Sequence, residues 1–320
     1  MRILFLGTSP FAVPSLNKLA ADESHSLLGV VTQPDRPHGR GGKELQSPVK
    51  AAALALDLPV YQPEKVRDKT FREFVRELAP DALVVAAFGQ LISGRMLEIP
   101  RFGGINVHGS LLPRWRGAAP MQYSLIEGDS ETGVTTMQMD VGLDTGDILL
   151  QASLPLKDIN DLAELEHQLS IIGADLLIDT LKALERGDCP RIPQDSDLAT
   201  YAPSLPADFG AFDWNLSALE LHNLVRGVSP KPGAYTVWQG KRLKIWVTEV
   251  REQQAGPHDS VGIIQYVDRQ GITVSTNLGA LLLTSVQPES KARMSAADWA
   301  RGARIVPGMS FSNLETSDAA

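Results

Sequence analysis

Short apolar runs recur through the first third of the chain and stop at glycine or at a polar cluster. "RILFLG" ends at Gly7, "LLGVVTQ" covers 27–33, "ALVVAAFG" covers 82–89 and "GINVHG" covers 104–109. Each is the length of a strand, and the near-continuous apolar character predicts burial on both faces. Helical signals lie between them. Ser47 followed by Pro48 predicts an N-cap with proline at the first helical position. In "TFREFVRELA" the spacing puts Phe71, Phe74, Val75 and Leu78 on one face. Strands alternating with helices predict an α/β domain built on a parallel sheet, with ligands bound beyond the carboxyl ends of the strands.

A longer helix follows. Asn160 or Asp161 caps it, Leu162, Leu165, Leu169, Ile172, Leu176 and Leu184 form its apolar stripe, and Gly187 ends it. The pattern then breaks down in "DCPRIPQDSDLATYAPSLPADFG", which is proline-rich and aperiodic. This predicts a surface linker over 188–207 after a first domain of 1–187. Beyond it, Ser217 caps one more helix. "YTVWQGKRLKIWVTEV" alternates around Gln239-Gly240 and predicts a hairpin. Further short strands at similar spacing predict a small β-barrel over 208–310, with 311–320 a frayed tail.

Composition narrows the functions available. With 320 residues, 43% of them hydrophobic and 21% charged, the chain has the make-up of a soluble globular protein. A net charge of −8 gives no global attraction to nucleic acid, so any such contact rests on a local patch. One cysteine, Cys189, rules out an internal disulfide and multi-cysteine metal sites. The histidines lack HExxH-type spacing, and no metal is expected. The first strand ends "GTSPF", which is neither a dinucleotide fingerprint nor a Walker loop. No leader and no apolar run long enough for a membrane span are evident, which points to a cytoplasmic protein.

Candidate chemistry concentrates in "INVHGSLLPRWRGAAP", 105–120. Asn106 and His108 are two apart and share one strand face at the strand's carboxyl end. An amide that donates to a developing negative charge, beside an imidazole that titrates near neutrality, suits carbonyl chemistry. "MDVGLDTGDILL" adds Asp140, Asp144 and Asp147, either as Asx-turn formers or as a carboxylate partner for His108. Leu111 and Leu112 either line a pocket or anchor a loop. Arg114, Trp115 and Arg116 either meet phosphate and base or lie in the interior. A long loop near 34–50 carries Arg36, Arg40, Lys43 and Lys50. The stretch from Arg226 to Arg251 carries Lys231, Lys241, Arg242 and Lys244. Two basic segments in an acidic chain suggest a polyanion laid across both.

These segments resemble the methionyl-tRNA formyltransferase family. The likeness runs over nearly the whole chain, through "TQPDRPHGRG", "AFGQLI", "INVHGSLLPRWRGAAP", "MDVGLDTGDI", "FDW" and "RGVSPKPGAYT". It implies a Rossmann-like formyltransferase domain and an OB-like C-terminal barrel. It implies Asn106, His108 and Asp144 as the catalytic residues. Phe88, Gly89, Gln90 and Leu91, with Ser110, Leu111, Leu112 and Pro113, would bind the folate. Arg36, Arg40, Lys43, Arg114, Arg116, Lys231, Lys241, Arg242 and Lys244 would meet tRNA. The implied formyl donor is 10-formyltetrahydrofolate and the implied acceptor is methionyl-initiator tRNA, with no metal. "NVHGSLLP" with "LDTGD" is common to folate-dependent formyltransferases in general. Glycinamide ribonucleotide, an amino-sugar nucleotide, or a non-catalytic RNA-binding role therefore stand as alternatives. Lys231 departs from the family's usual tryptophan.

Overall fold

The first strand, Arg2–Gly7 (β1), is buried from Ile3 onward. Its side chains alternate between two covered faces, as the unbroken apolar run requires. A computed structural model describes residues 1–38, 43–157, 161–251 and 260–312, and the side chains of 37, 38, 43 and 44 are not described. β1 pairs in parallel with Ser26–Val31 (β2), which pairs with Val60–Tyr61 (β3). On its other side it pairs in parallel with Ala82–Ala86 (β4), which pairs with Gly104–His108 (β5). The chain reverses direction across the sheet between β1 and β4, so their carboxyl ends flank a topological switch point. Thr8 Oγ1 donates to the Phe88 carbonyl across that point, at 2.8 Å.

The sheet is not wholly parallel. Glu131–Gln138 (β6) and Ile148–Pro155 (β7) extend it beyond β5, giving the order β7-β6-β5-β4-β1-β2-β3. Both added pairings are antiparallel. They are joined by a loop too short for a crossover helix, so the return must be antiparallel.

Helices Val13–Ala21 (α1), Pro48–Ala55 (α2) and Lys69–Leu78 (α3) separate the parallel strands. Ser47 caps α2 by accepting from Lys50 N–H at 3.0 Å. On α3, Val75 is buried, and Phe71, Phe74 and Leu78 pack against the same cluster as Leu4, Leu83 and Phe88. The long helix, Leu162–Arg186 (α4), is capped by Asp161, which accepts from Glu164 N–H at 3.0 Å. Asn160, the other cap considered, lies outside the described residues. The stripe drifts from the expected one: Leu177, Ile178 and Leu181 are buried, whereas Ile172 and Leu176 are only half-buried. A period of 3.6 residues rotates a fixed i, i+3/i+4 stripe around a helix of this length.

Packing divides the chain into two units without following it linearly. One holds Met1–Pro120, Glu131–Pro155 and Leu165–Ala202; the other holds Met121–Ser130, Leu156–Glu164 and the chain from Pro203 onward. In the second unit Ser217 and Glu220 form a reciprocal capping box on Ala218–Val228 (α5). Its sheet is antiparallel: Ala234–Trp238 (β8), Lys241–Arg251 (β9), Ile264–Val267 (β10), Ile272–Ser275 (β11) and Ala280–Pro288 (β12), in the order β8-β9-β12-β11-β10. Gln239 and Gly240 both have positive φ, 48° and 74°, as a two-residue hairpin turn requires. The last described residues link both sheet edges, since Ser310 bridges to Ile263 and Ser312 to Val237. Of the tail expected over 311–320, residues 311 and 312 are corrected, and 313–320 lie outside the described residues. Phe311 is buried and stacks on Trp214, with ring centroids 5.7 Å apart.

Candidate active site

β5 delivers Asn106 and His108 to the carboxyl edge of the first sheet, each on the same face as the strand period requires. His108 is buried. Its Nε2 lies 3.0 Å from the Trp115 carbonyl oxygen. A carbonyl only accepts, so Nε2 carries hydrogen and Nδ1 is the nitrogen left to exchange a proton. Nδ1 faces Asp144 Oδ2 at 3.8 Å. Asn106 is half-buried, and its side-chain amide has no hydrogen-bond partner among the described residues. The fold thus brings an open amide, an imidazole and a carboxylate together from positions that the sequence separates.

Asp144 is fixed by its own loop. Its backbone is left-handed, with φ 53°, and its Oδ2 accepts from Gly117 N–H at 2.9 Å. Gly146 makes that turn possible, because a Cβ there would meet the Gln138 carbonyl oxygen at 1.8 Å. Asp140 serves the loop instead, accepting from Thr145 Oγ1 at 2.8 Å and Gly142 N–H at 3.0 Å. The Asx-turn reading therefore fits Asp140, and the partner reading fits Asp144.

The turn after β5 is held by one buried hydroxyl. Thr135 Oγ1 accepts from Leu112 N–H at 3.0 Å and from the Gln151 amide at 2.9 Å, and donates to the Ser110 carbonyl at 2.7 Å. Ser110 is fully buried and its Oγ donates to the Arg114 carbonyl at 2.6 Å. Leu112 packs with Met137 and Ile148. Of the four turn residues, only Leu111 and Pro113 remain partly open. The expectation that Ser110 and Leu112 offer side chains to a ligand is corrected: their side chains build the turn.

At the switch point the Phe88 side chain is buried, whereas Leu91 is 77% exposed. The Gln33 amide donates to the Gly89 carbonyl at 3.0 Å, and Gln90 Oε1 accepts from Val66 N–H at 3.0 Å. Beside them lies a groove of about 330 Å³, lined by Gln33, Gly89, Gln90 and Leu91, by the cations Arg36, Lys65 and Arg67, and by Glu64. The early loop is not structureless: Arg36–His38 and Lys43–Leu45 form a short antiparallel ladder. Lys50, counted among its cations, is paired with Asp35. That hydrogen bond, then one from Gln62, holds the Asp35 carboxyl below its usual range. Arg40 lies outside the described residues, as does the side chain of Lys43.

Arg116 is corrected too. It is 3% exposed and its Nε donates to Gln194 Oε1 at 2.9 Å, so it cannot reach an outside polyanion. Arg114 is exposed, its guanidinium 4.4 Å from the Trp115 ring centroid. In the second unit Lys231, Lys241, Arg242 and Lys244 are all exposed. Arg242 lies over the Tyr235 ring at 4.3 Å. Strand alternation places Arg242, Lys244 and Trp246 on the outward face of β9, and Arg293 covers the Trp246 ring at 5.0 Å. Trp246 was overlooked in the sequence, although the period of two that pairs Arg242 with Lys244 reaches it directly. Among the described residues no group of His, Cys, Asp and Glu could hold a metal ion, and no helix is long and apolar enough to cross a membrane.

An open amide donor beside an imidazole and a carboxylate, at the edge of a doubly wound sheet, suits acyl transfer to a nucleophile. A family model described as formyl transferase matches residues 1–181, and one described as the formyl transferase C-terminal domain matches 205–304. A methionyl-tRNA formyltransferase of Geotalea daltonii is 46% identical over 99% of this chain and 100% of its own length. One of Symbiobacterium thermophilum is 47% identical over 98% and 96%. The chain belongs to the methionyl-tRNA formyltransferase family. A solved sugar 3N-formyl transferase, WlaRD, shares the fold with a TM-score of 0.66, at 18% identity over 91% of this chain and 99% of that one.

Proposed function

We propose that this chain transfers the formyl group of 10-formyltetrahydrofolate to the free amine of methionyl-initiator tRNA, in the cytoplasm, to give N-formylmethionyl-tRNA. The observation that carries the chemistry is the Asn106 amide, without a partner among the described residues, beside His108, with Asp144 3.8 Å from Nδ1. The amine attacks the formyl carbon, and the carbonyl oxygen gains negative charge. Asn106 donates to that oxyanion, and protonated His108 supplies the second stabilising charge. The 3.8 Å separation is wider than a hydrogen bond, and an atom set to one side of the line from Nδ1 to Oδ2 can bond to both. The Asp144 carboxylate takes the proton from the attacking amine and passes it to the folate nitrogen as the C–N bond breaks, while His108, already protonated, only stabilises charge. The products balance: the amine nitrogen exchanges a hydrogen for formyl, and tetrahydrofolate leaves with that hydrogen.

The exposed Leu91 and the half-buried Leu111 and Pro113 suit a flat, partly apolar donor. Arg36 and Arg114 in the first unit, and Lys231, Lys241, Arg242 and Lys244 in the second, suit the phosphates of the acceptor. Full-length similarity to methionyl-tRNA formyltransferases favours tRNA over a small amine. The test is release of tetrahydrofolate with four acceptors: initiator and elongator methionyl-tRNA, glycinamide ribonucleotide and an amino-sugar nucleotide. Turnover on initiator methionyl-tRNA well above the other three is expected. Preference for either small amine, or no turnover on any acceptor, would overturn the reading.

A further inference from the structure

Gln194 belongs to the stretch that reads in sequence as a plain surface linker, yet both amide N–H groups and the amide oxygen are engaged. Its Nε2 donates to the Asp144 carbonyl at 2.8 Å and to the Gly146 carbonyl at 2.7 Å. Its Oε1 accepts from Arg116 Nε at 2.9 Å, and Arg116 is buried. Arg116 adjoins Trp115, whose carbonyl accepts from His108 Nε2, and Gly117, whose N–H donates to the Asp144 carboxylate. Neighbouring connector residues fasten the same turn: Thr200 Oγ1 accepts from Trp115 N–H at 2.9 Å and the Thr200 carbonyl from Arg116 N–H at 2.8 Å. The loop carrying Asp144 and the turn carrying the acceptor for His108 therefore meet through one side chain.

We propose that Gln194 is a positioning residue that holds Asp144 opposite His108. Only an amide meets the demand, since the site needs two donors toward carbonyl oxygens and one acceptor toward a guanidinium. A glutamate at 194 keeps the acceptor and gains a charge pair with Arg116, but sets carboxylate oxygen against two carbonyl oxygens. An alanine loses all three bonds and forces nothing apart. Stability and activity should then part company. Gln194→Glu should keep a melting temperature above that of Gln194→Ala, and should have the lower kcat of the two. Outer partners that orient metal ligands typically carry about 10- to 100-fold in activity; a fall on the same order is expected here, and the KM values for both substrates should stay within about twofold because no binding group is touched.

The kinetic part rests on the proposed formylation, so it is paired with a measurement that does not. In 1H–15N spectra of the free protein, the His108 imidazole signals should move in Gln194→Glu as Asp144 is displaced. Unmoved His108 signals overturn the inference, whatever the wild type does with methionyl-tRNA. So does a kcat that merely follows the melting temperatures, or one that stays within twofold of wild type in both variants. A wild type that forms no formylmethionyl-tRNA, with His108 signals that still shift, would sink the reaction and leave Gln194 supported.

Discussion

Replacing Thr135 by valine keeps the shape of a fully buried side chain and deletes the hydroxyl that three groups share. Leu112 N–H then has no acceptor and the Ser110 carbonyl has no donor, both in the interior. The Gln151 amide keeps its bond to the Leu112 carbonyl at 2.9 Å and is only partly stranded. Two buried orphans at roughly 1–3 kcal/mol each, less relaxation, give a loss of about 2–5 kcal/mol. Urea unfolding of the first unit, followed by circular dichroism, reads this as a lower midpoint at unchanged slope. Thr135→Ser is the control, because it retains the hydroxyl and removes a methyl, at a cost of about 1 kcal/mol. The turn from Ser110 to Pro113 should loosen with the valine, so KM for the folate should rise as stability falls. A Thr135→Val protein within about 0.5 kcal/mol of wild type would refute the claim that this hydroxyl holds the turn.

Gly146→Ala should reduce kcat at least as severely as the loss of Asp144 itself, since the added carbon collides with the Gln138 carbonyl and displaces the loop; near-normal turnover would show that the loop is not fixed there. Burial first, then the charge of Arg226, hold His222 below its ordinary value of 6.5. The unfolded chain thus takes up a proton that the native chain resists, so stability is kept above 6.5 and declines as pH falls from 6.5 toward the native value. Gln at 222 should abolish that decline, seen as a melting temperature that gains on wild type between neutrality and pH 5; a gap independent of pH would contradict the assignment. Lys244→Ala should lower the slope of log binding constant against log salt by roughly 1 for tRNA. Trp246→Ala should weaken binding by about 1–3 kcal/mol if a base stacks there, and unchanged affinity in both variants would remove β9 from the tRNA surface.

How much of this was legible before folding follows from the range of each interaction. β1 and β4 announce themselves because a strand covered on both faces must be apolar throughout. The Gln239-Gly240 turn does so because its backbone needs positive φ. Asn106 and His108 were readable as a pair because strand periodicity is local. The antiparallel return of β6 and β7 was not, since their apolar patterns do not state a direction. Arg116 was misread because a cation beside tryptophan looks the same in sequence whether it faces solvent or a buried amide. Gln194 gave no signal at all. Its role depends on contacts with residues 48, 50 and 78 positions away, within an aperiodic segment.

The central claim is that an open amide at 106 stabilises the oxyanion formed when an amine attacks the formyl group. Asn106→Asp is nearly isosteric and replaces the donor with a carboxylate. Single-turnover formylation of initiator methionyl-tRNA, with both substrates saturating, isolates the chemical step. The account predicts a fall of about 10²–10³-fold in that rate, with binding of both substrates close to wild type. A rate within about tenfold of wild type would contradict it.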